Sequence, residues 1–120
     1  MRDEHIAEEM HSNRTTAQRS VENEIMKLVV DSYLHGAQTC ELEDGTVLGV
    51  TINQGPSDNV HLFIDNSHKL TVEIQNGCSR ISTVKTIESE DEMDYILPFT
   101  KSLGMAEGQT KRCVMETVGV

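Results

Sequence analysis

The chain contains no tryptophan, and only two tyrosines and two phenylalanines among its 120 residues. A core without large rings must be filled by Val, Ile, Leu and Met. Long apolar runs are also missing. No stretch approaches the roughly 18 residues of a membrane span, so no membrane association is expected. The opening residues, Met1-Arg2-Asp3-Glu4-His5, lack the apolar centre of a secretory signal. The three cysteines are an odd number and none falls in a C-x-x-C pair, which points to reduced thiols and a cytoplasmic protein. Basic residues are scarce: 10 Lys and Arg stand against 20 Asp and Glu, for a net charge of −10. That balance disfavours non-specific nucleic-acid binding, which rests on phosphate neutralisation, and favours basic partners or simply solubility. Catalytic signatures are absent too, with no G-x-S-x-G, no phosphate-cradling glycine loop and no H-E-x-x-H. No enzyme activity, cofactor or metal is therefore expected. His5, Glu9 and His11 lie in a polar arm, residues 1–14, where nothing fixes a ligand geometry.

What the sequence does hold is a series of short alternating runs between Thr39 and Ile87. Asp44-Gly45 and Asn76-Gly77 are tight-hairpin signals, because a two-residue turn needs positive φ. Cys40 and Leu42 precede the first turn, and Leu48, Val50 and Ile52 follow it at period two. The spacing predicts five antiparallel strands: about Thr39–Glu43, Thr46–Asn53, Val60–Ile64, Lys69–Gln75 and Arg80–Ile87. Gly55-Pro56 punctuates one loop, and Asp65-Asn66-Ser67-His68 is read as a turn. Closing such strands into a small barrel would remove their exposed edges.

The clearest helix precedes the strands, at residues 15–36. Thr15, Thr16 or Ser20 can cap it and Gly36 suits its end. Val21, Ile25, Leu28, Val29 and Ser32 share one face. Met26, Val30 and Leu34 form a second apolar stripe, rotated by roughly 140° on a helix of about 3.6 residues per turn. Two stripes imply burial on two sides. The C-terminal segment is the expected cover for the second stripe, with a partner or homo-oligomer as the alternative.

After the strands, Glu88, Glu90, Asp91, Glu92 and Asp94 carry half of the net charge. Ser89 and Glu92 match a capping box, and Pro98 is expected to end the short helix that follows. Thr110–Val118 reads as a sixth strand, entered past Gly104 and Gly108, with Lys111 and Arg112 at its start and Cys113 within it. The fold class expected is α+β, in one domain over residues 15–120: a leading helix, a strongly bent sheet or barrel, a short acidic helix and a last strand.

The pieces Leu42 to Val50, Asn59 to Ile64 and Ile81-Ser82-Thr83-Val84 carry a family likeness. With the leading helix, they resemble the Sm-like small β-barrels of the Hfq and Rof type over about residues 20–88. The resemblance implies two kinds of function. One is a non-catalytic inhibitor or regulator that binds a nucleic-acid-associated protein, as phage-type regulators do. Glu41, Glu43, Asp44, Glu88, Glu90, Asp91, Glu92 and Asp94 would steer that partner, and Met26, Val30 and Leu34 would contact it. The other is an oligomeric ring binding RNA or a small nucleotide-like ligand through Gln54, Asn59, Asn76 and Arg80. An assembly subunit is a third reading, built on the last strand and the two-striped helix.

Overall fold

The structure, a computed structural model, describes residues 20–85 and 87–118. The polar arm and the Thr15 and Thr16 caps lie outside the described residues. The first helix, α1, covers residues 20–35. It ends at Gly36, whose φ of +87° is favourable for glycine and whose N–H donates to the Ser32 carbonyl at 3.0 Å. Ile25, Leu28, Val29 and Ser32 are buried at helical spacing. The Ser32 hydroxyl is shared between the Leu28 carbonyl at 2.7 Å and the Val50 carbonyl at 3.0 Å, so it ties α1 to the sheet.

Five strands follow: β1 (Gln38–Glu41), β2 (Val47–Asn53), β3 (Asp58–Ile64), β4 (Ser67–Gln75) and β5 (Cys78–Val84). They pair antiparallel in the order β1-β2-β3-β4-β5. Two connections are two-residue turns with positive φ at both positions: Asp65-Asn66, at 50° and 67°, and Asn76-Gly77, at 54° and 77°. His68 therefore belongs to β4 and not to a turn. Asp44-Gly45 behaves differently, because its connection spans residues 42–46. The Asp44 carboxylate accepts from the Thr46 N–H at 2.9 Å, and the Leu42 N–H donates to the Thr46 carbonyl at 2.8 Å, which closes a longer loop.

One face of the sheet is apolar. Leu48, Val50, Val60, Leu62, Leu70 and Val72 are all fully buried on it. The expected barrel is not formed: among the described residues no pairing joins β1 to β5, and the sheet stays open. Helices cover its apolar face instead of a closing strand. After a single 3₁₀ turn (Glu90–Glu92), α2 (Met93–Ser102) and α3 (Glu107–Val118) bring Ile96, Phe99 and Val114 into the core that α1 and the strands share, and the connection between them adds Leu103 and Met105. Phe99 is the ring in that core; the remaining core residues are aliphatic side chains and Met105.

Three C-terminal expectations fail for identifiable reasons. Residues 107–118 form a helix, not a sixth strand, because Thr110 and Val114 are buried one turn apart and Lys111 pairs with Glu107 at 3.2 Å. The Thr110 hydroxyl donates to the Thr100 hydroxyl at 2.7 Å and locks α3 to α2. Pro98 sits inside α2 without ending it. The carbonyl that loses its i+4 donor belongs to Asp94, an exposed residue, while Phe99, Thr100 and Leu103 beyond the proline are held in the core. The capping box is not made either. Ser89 makes no side-chain cap bond, and the Glu92 carboxylate accepts instead from the Glu88 N–H at 2.9 Å.

The inward turn of Glu92 is made possible by a bulge in β4. Leu62 pairs with Leu70 and Phe63 with His68, which leaves Lys69 as the extra residue. Its ammonium meets Glu92 at 2.8 Å, with side-chain exposures of 5% and 11%. Removing one member of such a pair leaves a buried charge. Glu92→Leu should lower the unfolding free energy by about 3 kcal/mol, and Lys69→Met added to it should recover most of the loss. Urea denaturation of the three chains checks this, and equal stability of the single and double variants would refute it.

Candidate protein-docking surface

The structure brings together two acidic stretches that the sequence keeps far apart. Tyr95 on α2 donates its hydroxyl to the Asp44 carboxylate at 3.4 Å, across 51 positions of sequence. The β1–β2 loop, with exposed Glu43 and Asp44, thus meets the start of α2, with exposed Asp94. Glu41, Glu88, Glu90 and Asp91 are exposed as well. The Thr46 amide, then the Thr46 hydroxyl and more weakly the Tyr95 hydroxyl hold the Asp44 carboxyl below the usual carboxylate range, so it stays charged in mild acid. Glu92 is the exception in the acidic run, since it faces Lys69 and leaves the surface.

Beside this acidic end runs an open groove of about 460 Å³ between α1 and the C-terminal helices. Val21, Tyr95, Leu97 and Pro98 give it an apolar floor. Among its described lining residues, Glu22, Asp94 and Glu107 stand against the one cation Lys101. Pro98, expected to stop a helix, here presents its ring to the groove. Sequence reasoning missed Tyr95 and the groove because both depend on contacts between segments far apart in the chain, Tyr95 with Asp44 and α1 with the C-terminal helices.

The second stripe of α1 is uncovered among the described residues. Met26, Val30 and Leu34 are 52%, 50% and 68% exposed, and Tyr33 adds to them at 36%. The C-terminal segment does not supply the cover expected of it, because α2 and α3 pack into the core on the sheet's apolar face. Burial and then the nearby Asp58 carboxylate raise the Tyr33 pKa, so its phenol remains neutral.

The residues read as a ligand site fall on or near the other face of the sheet. Gln54 is exposed in the β2–β3 loop and Asn76 is in the β4–β5 turn. Asn59 and Arg80 do share a cross-strand row, but Glu73 stands between them as the partner of both. Arg80 gives its guanidinium to Glu73 at 2.7 and 2.8 Å, which leaves it poorly placed to bind a phosphate. No group of three or more His, Cys, Asp and Glu suited to a metal occurs among the described residues. Cys40, Cys78 and Cys113 form no disulfide with one another, and burial and then Glu24 push the Cys40 thiol up, away from the reactive thiolate. No described helix is long and apolar enough to cross a membrane.

A polar chain crosses the same outer face. The Asn53 amide donates to His61 Nε2 at 3.2 Å, which assigns the proton of His61 to Nδ1, 2.7 Å from the Thr71 hydroxyl. His68 Nε2 lies 2.7 Å from the same hydroxyl. Alternation alone placed these histidines on strands or turns and gave no sign that one hydroxyl joins them. Burial, and then the neighbouring His68, lower the His61 pKa. A base with a depressed pKa in the folded state binds its proton more tightly when unfolded. Its contribution is therefore complete above the unfolded value and lost as pH falls through about 6.5 towards the folded value. Between about pH 7.5 and 5.5, wild-type stability should fall more steeply than that of His61→Gln, as read by urea midpoints. Parallel slopes would remove His61 as a contributor.

Comparison with protein-family models, with curated proteins and with solved structures returned no match.

Proposed function

We propose that this chain is a non-catalytic, acidic interaction protein that captures a basic segment of a protein partner in the groove between α1 and α2. The observation that carries the reading is the Asp44–Tyr95 contact, which sets the acidic loop and the acidic start of α2 beside one apolar floor. An apolar side chain of the partner would rest on Val21, Leu97 and Pro98, while flanking Lys or Arg residues meet Glu22, Asp94 and Glu107.

Lys and Arg spaced for phosphates are what a nucleic-acid-binding surface offers, and an acidic rim competes for the same cations. The partner class supported by this charge is accordingly a nucleic-acid-associated protein, which the chain would inhibit or modulate. A cytoplasmic setting belongs to the same proposal, as do the likeness to Sm-like regulators and the absence of catalysis. The ring reading through Gln54, Asn59, Asn76 and Arg80 has less support, since Glu73 already neutralises Arg80.

Charge reversal tests the proposal. Glu43→Lys, Asp91→Lys and Asp94→Lys together should abolish retention of basic nucleic-acid-binding proteins from a lysate, with the urea midpoint unchanged because all three side chains are exposed. Retention by the wild type should weaken as salt rises above about 0.15 M. Unchanged capture by the triple variant would overturn the reading.

A further inference from the structure

The uncovered stripe on α1 is built to meet itself. Met26, Val30, Tyr33 and Leu34 fall within an arc of about 100° at 3.6 residues per turn. Each is at least 36% exposed. Along one border of that arc stand Lys27 and then Asp31, of opposite sign and one turn apart. Neither has an ion-pair partner among the described residues.

We infer that a second copy of this chain docks on this stripe, with the two α1 helices antiparallel about a twofold axis at Val30. That operation sets Met26 opposite Leu34 of the second copy and Val30 opposite its own equivalent. It also keeps the Lys27–Asp31 border on the same side of both helices. Lys27 then lies within about 3 Å, along the axis, of Asp31 of the second copy, and the pair occurs twice. A parallel pairing would set the Lys27 border against the Glu22 and Val29 border and lose both pairs. The order of charges therefore suits a copy of the same helix in reverse.

Size sets the expected strength. One helical stripe offers a few hundred Å² per copy, less than the roughly 800 Å² per partner of a stable complex. Two copies at −10 each also repel at long range. The dimer is therefore weak, dependent on concentration, and strengthened as salt shortens the range of the repulsion. Capture in the groove has the opposite salt dependence, so the two associations separate in one experiment.

Sedimentation equilibrium of the full chain over a concentration series, at low salt and at about 0.15 M, is the test. The expected result is a monomer–dimer equilibrium that shifts towards dimer with salt. Val30→Glu sets two carboxylates against each other on the axis and should raise the dimer dissociation constant by about tenfold or more. Because Val30 is half exposed, that variant keeps its fold and its groove. Lys27→Asp or Asp31→Lys alone should weaken the dimer by about fivefold, and the double exchange should restore it. A monomer at every concentration, a dimer indifferent to Val30→Glu, or a double exchange that fails to restore association would each overturn the inference.

Discussion

A sheet with one apolar face must have that face covered, and this constraint governs the architecture. Alternation through β2, β3 and β4, broken at the Lys69 bulge, puts Leu48, Val50, Val60, Leu62, Leu70 and Val72 on one side and mostly hydroxyls, histidines and charges on the other. The second side carries one phenylalanine ring, Phe63, tilted against His68. The cover is helical: α1 reaches the sheet through Ile25, Leu28, Val29 and Ser32, and α2 and α3 through Ile96, Phe99 and Val114. Once three helices lie on the apolar face, the sheet gains nothing by closing, and β1 and β5 remain edges.

Much of the fold was legible because it is local. The Asn76-Gly77 turn, the alternation of Val60, Leu62 and Ile64, and the Gly36 stop each depend on a few neighbouring residues. The failures share a physical cause. Period two and period 3.6 both fit Thr110 and Val114, and only contact with Thr100 decides for a helix. Pro98 forbids one backbone bond, but burial of Phe99 outweighs that loss. Asp44-Gly45 has the composition of a two-residue turn, yet the Asp44 carboxylate bonds the Thr46 amide and lengthens the loop. At the candidate site, composition showed acidity but not which acids converge. Glu92 turns inward because β4 carries one extra residue at Lys69, a feature with no signature in the neighbouring sequence.

Charge and greasiness are separated on the surface. The acidic end and its groove lie where the β1–β2 loop meets α2, and the uncovered stripe lies along the outer side of α1. Both surfaces use α1, the groove through Val21 and Glu22 and the stripe through Met26 to Leu34. A helix held on its core side by Ser32 and its aliphatic neighbours can present two chemically distinct borders without moving.

The contact between Tyr95 and Asp44 also has a consequence for the order in which the chain emerges during synthesis. Each hairpin of the meander can pair as soon as its own residues have left the ribosome, since strands adjacent in sequence are adjacent in space. The acidic end cannot form on that schedule. Its loop is made early, but its floor waits for Tyr95 to Pro98, and α2 is fixed only when Thr110 reaches Thr100. In a growing chain the strands can thus pair before Thr110 reaches Thr100, whereas the Asp44–Tyr95 contact and the groove wait for the helices that follow them.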